Sequence, residues 1–170
     1  MAVIIKHVKP NGSGDYTDLV SGISGIIASS ASINEYCDMY LYVDEGIYSG
    51  VINATVPNSG SLSIICTAGS IFYPTSTSHI NGTSYIKENL ILKGLDIYNK
   101  YLNNDYSFII GSGCSVKLED IDANLDNVFI NSGNLELNNV SLIGSGVAIN
   151  SSSNLILREV NLSDYNSGII

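Results

Sequence analysis

The sequence predicts an all-β chain: a single-stranded parallel β-helix of about twenty-residue coils, closed at its N-terminal end by a capping α-helix. Two alignments and one regularity predict it. Four segments fall in step, Leu90-Ile-Leu-Lys-Gly-Leu-Asp-Ile, Val116-Lys-Leu-Glu-Asp-Ile-Asp-Ala, Leu135-Glu-Leu-Asn-Asn-Val-Ser-Leu and Leu155-Ile-Leu-Arg-Glu-Val-Asn-Leu. A second series lies between them, Phe108-Ile-Ile-Gly-Ser-Gly, Val128-Phe-Ile-Asn-Ser-Gly and Val147-Ala-Ile-Asn-Ser-Ser. The regularity is columnar. Leu92, Leu118, Leu137 and Leu157 form one apolar column, Leu95, Ile121, Val140 and Val160 a second, and Ile110, Ile130 and Ile149 a third. Outward columns are expected at Asp96, Asp122, Ser141 and Asn161 and at a Ser112, Ser132, Ser151 corner, with Asn131 and Asn150 stacked as an amide ladder. Side chains repeating directly above one another need parallel strands spaced about 4.8 Å apart along one axis.

Each element has its own signal. Residues 2–8 alternate weakly and read as a first strand, followed by the Pro10-Asn-Gly-Ser-Gly turn. Leu19, Ile23, Ile26 and Ile27 recur at helical spacing. Asp15 or Thr17 is expected to cap that helix, and its two internal glycines to weaken it. Met39-Tyr-Leu-Tyr-Val, Ile47-Tyr-Ser-Gly-Val-Ile and Leu62-Ser-Ile-Ile-Cys are strands, with Asp44-Glu-Gly a corner. Residues 70–89, rich in Ser, Thr and Asn, are expected to bridge an irregular coil or to loop out from it. One β-helix domain is therefore expected over 1–170: strand and helix in 1–38, irregular coils in 39–89, regular coils in 90–170. The segment Gly168-Ile169-Ile170 looks like the start of a further strand. An open apolar coil there would meet a partner or continue in a longer polypeptide.

Composition narrows the function. The chain has 170 residues, 45% hydrophobic but only 14% charged, so its surface is built from Ser, Thr, Asn, Gly and Tyr. A net charge of -9 with seven basic residues leaves little to neutralise phosphates, which argues against nucleic acid and anionic membranes. No stretch is long enough to insert in a bilayer, and the first residues, interrupted at Lys6 and His7, do not read as a signal peptide. The three cysteines (Cys37, Cys66, Cys114) lack metal spacing and read as small core residues; no metal or cofactor is expected.

Gly14-Asp-Tyr-Thr-Asp-Leu-Val-Ser-Gly-Ile followed by Leu41-Tyr-Val-Asp-Glu-Gly-Ile-Tyr resembles the opening of pectin-lyase-like right-handed β-helix proteins. There a "G-D-Y-x-x-L" turn leads into a capping helix and a "V-x-x-G-x-Y" strand begins the first coil. The resemblance implies a right-handed coil. Its superfamily holds pectin esterases, lyases and polygalacturonases, but also noncatalytic tail spikes, adhesins and other virion components of bacterial viruses. The enzymes' residues do not carry over: His7 and His79 are isolated, the chain contains no glutamine, and Arg158 is its only arginine.

Three sets of candidates remain. Asp120, Asp122 and Asp126 are weak catalytic candidates; Asp120 and Asp122, separated by one residue on a strand, would share a face as acid and base of a polysaccharide depolymerase. The bland reading, a solvated acidic face with nothing beside it to raise a carboxyl pKa, is favoured. Among eleven tyrosines, Tyr98, Tyr101 and Tyr106 crowd one loop with Asn103 and Asp105, a composition suited to surface glycans or to a protein contact. Gly168, Ile169 and Ile170 are the candidate interface. The expected function is a noncatalytic structural or adhesive module of a virus particle, in capsid decoration or in a tail spike or fibre. It would be located on the virion, or otherwise on an extracellular surface. Its partners would be other virion proteins or a second copy of itself. The alternatives are a depolymerase and a carbohydrate-binding module.

Overall fold

The computed structural model describes residues 1–57, 59–82, 88–98 and 105–170. The elements are β1 (Ala2–Val8), α1 (Leu19–Ser30), β2 (Cys37–Val43), β3 (Gly46–Gly50), β4 (Asn53–Val56), β5 (Gly60–Cys66), β6 (Ser70–Pro74), β7 (Ser78–Gly82), β8 (Leu90–Lys93), β9 (Asp96–Tyr98), β10 (Tyr106–Ile110), β11 (Ser115–Asn124), β12 (Asn127–Asn131), β13 (Asn134–Ile143), β14 (Val147–Ser151), β15 (Leu155–Ser163) and β16 (Ser167–Ile169). They form an all-β parallel solenoid of about 5 turns with one short helix.

Three strand stacks line the solenoid. One sheet runs β4-β7-β10-β12-β14-β16. The other has two arms, β1-β2-β5-β8 and β3-β6-β9, which merge at β11 because its first half pairs with β8 and its second half with β9. β13 and β15 continue both arms. The arms merge where the corner between them shrinks to one residue in the left-handed region: Gly94 (φ 73°), Asp120 (54°), Asn139 (53°) and Glu159 (52°). Gly, Asp and Asn enter that region most cheaply, whereas Glu159 is a costlier occupant.

The first apolar column stands as the sequence orders it, and the second does so from Ile121 onward. Leu92, Leu118, Leu137 and Leu157 are consecutive partners, as are Ile121, Val140 and Val160. Above them the first column continues through Ile64 and Leu41, both fully buried.

The third column is shifted. Phe108, Phe129, Ile149 and Ile169 are the partners, and Ile110 stands over Asn131 and Ser151. Asn131 and Asn150 therefore do not stack. Asn131 is buried in the wall, where its Nδ2 donates to Ser151 Oγ (3.0 Å) and to the Asn154 carbonyl (3.0 Å), and its Oδ1 accepts from the Gly133 N–H (3.1 Å). The amide ladder lies at the next corner instead, where Asn154 Nδ2 donates to Asn134 Oδ1 at 2.9 Å. The serine corner moves with the register: Ser132 and Ser152 donate their N–H groups to the carbonyls of Ile110 and Asn131. Residues 70–82 are likewise more regular than their composition suggests, since β6 and β7 are ladder strands and Ser70 and Ser78 are fully buried. The Ser78 hydroxyl accepts from the Ile52 N–H (2.9 Å), which meets its burial cost.

Asp18 caps α1, not Asp15 or Thr17. Its carboxylate accepts from the Ser21 N–H (2.8 Å) and hydroxyl (2.6 Å), which holds its carboxyl below the usual pKa. Asp15 instead ties the turn to β1 through Lys6 Nζ (3.0 Å) and the His7 N–H (2.9 Å). Tyr16 exchanges backbone hydrogen bonds with His7 and Lys9. The helical glycines allow close approach: a Cβ on Gly22 would lie 2.6 Å from Val8 Cγ2, and one on Gly25 would meet the Tyr16 ring. The helix thus packs against β1 to β4 and buries Leu19, Ile23 and Ile26.

Candidate functional site

The corner between the arms gathers most of the acidic candidates. Asp120 sits on it, and the left-handed turn parts it from Asp122, which lies on the second arm. Asp120 accepts from Asn139 Nδ2 (2.8 Å) and pairs with Lys93 Nζ (3.3 Å), and these partners hold its carboxyl below the usual range. Asp120 and Asp122 still line one open groove of about 390 Å³, together with Asn139, Ser141, Glu159 and Asn161. Asp126 belongs to another turn, where it accepts from the Ser145 N–H (3.2 Å) and hydroxyl (2.9 Å).

Among the acidic candidates and their column mates, Asp96 is a carboxyl with a raised pKa. Pairing of Ile97 with Ala123 sets Asp96 beside Asp122 on the outer face of the second arm. Desolvation, then the charge of Asp122, pushes Asp96 up. The acidic column therefore does contain a neighbour that perturbs a carboxyl. The column itself was readable from the repeat; the half-burial of Asp96 was not.

Tyr98 lies on this same outer face, and its ring packs against Tyr73 with centroids 6.2 Å apart at 40°. Nothing in the loop sequence pointed to Tyr73, which arrives from the preceding coil. Asp105 is exposed and Tyr106 half-buried, opposite Asn127 in the second sheet. Tyr101 and Asn103 lie outside the described residues.

The outer face of the first arm carries an ion-pair network. Lys117 Nζ contacts Glu119 (2.8 Å) and Glu136 (3.8 Å), Lys93 reaches Glu119 (3.9 Å), and Arg158 Nε reaches Glu136 (3.5 Å). With Lys6 on Asp15 and Lys9 near Asp44 (3.9 Å), every lysine and arginine among the described residues has a carboxylate within 4.0 Å. His7 stacks on Tyr42 at 5.4 Å, and His79 lies on the exposed face of β7. Cys37, Cys66 and Cys114 are free and buried, and burial pushes the Cys66 thiol up to about 12 and Cys114 to about 11. Among the described residues no cluster of His, Cys, Asp and Glu has the makings of a metal site.

The terminal coil is the other candidate. Ile156, Leu157, Ile169 and Ile170 are 45%, 38%, 45% and 57% exposed, while Leu137, the column mate of Leu157, is fully buried. Ile170 is tied to β14 by its N–H on the Ile149 carbonyl (2.9 Å) and by its carbonyl, which accepts from the Ser151 N–H (2.8 Å). Tyr165 anchors the preceding loop by donating to the Leu125 carbonyl (2.7 Å), and burial followed by the Asp126 charge raises its pKa.

No protein-family model, curated protein or solved structure matches the chain. Its own geometry carries the functional reading.

Proposed function

We propose that this chain is a noncatalytic structural or adhesive module of a virus particle, serving capsid decoration or a tail spike or fibre. In this reading it is a right-handed, pectin-lyase-like β-helix of about twenty-residue coils, with α1 as its N-terminal cap. It works by rigid display along its sides and by attachment through its terminal coil. The observation that carries the reading is a contrast in how outward side chains are used. Along the coils the described lysines and Arg158 are spent on carboxylates, whereas exposed apolar side chains gather toward the two ends of the solenoid, Met1, Val3 and Ile5 at one and Ile156, Leu157, Ile169 and Ile170 at the other. Free, buried cysteines suit assembly in a reducing cytoplasm.

Fractionation tests the reading. Particles banded from cells that express the sequence should carry it in fixed stoichiometry, and Leu157→Lys with Ile169→Lys should leave a folded protein in the soluble fraction. A chain never found with particles defeats the proposal.

A second reading, polysaccharide binding or cleavage on the second arm, is favoured by the raised Asp96 carboxyl beside Asp122 and by the Tyr73–Tyr98 pair. New reducing ends or unsaturated products released from acidic or neutral polysaccharides, and abolished by Asp96→Asn or Asp122→Asn, would establish cleavage. Glycan binding lost in Tyr98→Ala without product would establish a binding module.

A further inference from the structure

We infer that Asn11 is a self-modification site: in the folded chain it closes on the Gly12 nitrogen and is converted to isoaspartate or aspartate. The other Asn-Gly pair of the chain, Asn81-Gly82, is held unreactive by its strand.

An asparagine followed by glycine suits this ring closure, because glycine puts no side chain in the way of its own nitrogen. The sequence holds two such pairs, and both asparagines are exposed, so neither sequence nor exposure separates them. Their settings do.

Asn11 lies in the turn between β1 and α1, with Gly12 and Ser13 exposed beside it. A Cβ on Gly12 would meet nothing within 4 Å, so the new ring has open space. Asn11 Oδ1 accepts from the Ser13 N–H (2.9 Å) and from the Ser13 hydroxyl (2.8 Å). These two donors polarise the amide carbon and stand where attack places negative charge, as oxyanion donors do. One bond opposes the reaction: the Gly12 N–H donates to the Lys9 carbonyl (3.0 Å) and must be released first. It closes an exposed turn, where local opening is cheap. Asn81 is bound differently. Thr55 and Val56 of β4 pair with Asn81 and Gly82, which fixes the backbone torsions that ring closure has to turn. The Asn81 side chain rests over the bare face of Gly111, and a Cβ on Gly82 would lie 2.9 Å from the Val56 carbonyl.

The step needs only water. A solvent base takes the Gly12 proton, the nitrogen bonds to Asn11 Cγ, and the carbonyl pair moves onto Oδ1. That pair returns as the Cγ–Nδ2 bond breaks, and the leaving nitrogen takes a proton from water and departs as ammonia. Water then opens the five-membered imide at either carbonyl. One water enters, one ammonia leaves, and nothing is oxidised or reduced. The new carboxylate joins Asp44 and Glu45 in a groove of about 460 Å³. In the isoaspartate form the main chain also gains a methylene just ahead of Tyr16, whose backbone bonds to His7 and Lys9 seat the start of α1 against β1.

Peptide mapping of the folded full chain, aged in mildly alkaline buffer, tests this through the amide-to-acid mass gain and enzymatic methylation of isoaspartate; circular dichroism confirms that each variant is folded. Asn11 should convert at least about tenfold faster than Asn81 in the folded chain, and within about threefold of it in urea. Ser13→Ala should slow Asn11 by at least about threefold, since one of two oxyanion donors is lost. The isolated isoaspartate form should melt about 2–4 °C below Asn11→Asp. An Asn11 that stays an amide, an Asn81 that converts as fast in the folded chain, or a Ser13→Ala variant that reacts like the wild type overturns the inference. A preference for Asn11 that persists in urea overturns the role given to the fold, and equal melting overturns the link to α1.

Discussion

The first and last coils are made of similar strands and bury their core-facing side chains to different degrees. In the first coil, Val8 and Leu41 are fully buried against α1, brought close by the bare face of Gly22, while Ile4 of β1 is half-buried and Val3 and Ile5 stand exposed. At the last end, Leu157 and Ile169 carry on columns that are buried one coil earlier, yet they are exposed. Position in the column, not side-chain chemistry, sets the burial.

That contrast can be broken within one column. Leu137→Ala should cost about 2–5 kcal/mol in chemical denaturation, as for other fully buried leucines, while Leu157→Ala should cost under about 1 kcal/mol in dilute monomer. Equal losses would show that the last coil is packed like its neighbours. At the helical end, Gly22→Ala should destabilise by about 1–3 kcal/mol through overpacking against Val8, although alanine favours a helix elsewhere. Added stability, measured by thermal melting, would mean that the close approach does not matter.

Asn131→Ala should cost about 1–3 kcal/mol, because it leaves the Gly133 N–H and the Asn154 carbonyl without their buried partner. A neutral result would show that water replaces the amide.

The smallest effect is a pH dependence. Asp96 is raised in the fold, chiefly by desolvation, so its protonated form favours the folded state. Its contribution is fully present below its unfolded pKa and is lost as pH rises through its folded value. Asp96→Asn should therefore gain stability at neutral pH and lose that advantage in acid. Asp18 has the opposite sign: its lowered carboxyl stabilises above the unfolded pKa and loses this as pH falls through the folded value. Asp18→Asn should thus differ from wild type at neutral pH and converge in acid. Urea titrations at both pH values check the pair.

The sequence made the repeat, the first two columns and most strand positions readable, because each rests on strict apolar alternation. The third column failed where alternation fails. Phe108-Ile109-Ile110 and Val128-Phe129-Ile130 are apolar on both faces, so the pattern does not say which residue points inward, and the one that completes the inward set after Phe129 is the polar Asn131. β6 and β7 hid behind buried serines whose hydroxyls are satisfied inside the wall. Asp15, Thr17 and Asp18 all suit a cap within a few residues, and only the helix start at Leu19 distinguishes them. On the candidate site, the stacking of Asp96 on Asp122 was readable as a column. The left-handed corner that parts Asp120 from Asp122, and the reach of Tyr73 to Tyr98, come from backbone geometry that composition does not carry.

Hydrogen exchange followed against protein concentration tests the account most directly. The amides of β15 and β16 should gain protection as concentration rises, while those of β1 and β2, beneath α1, should not change. Protection of the last coil that is independent of concentration, or that grows at β1 instead, would contradict the proposal that attachment uses β15 and β16.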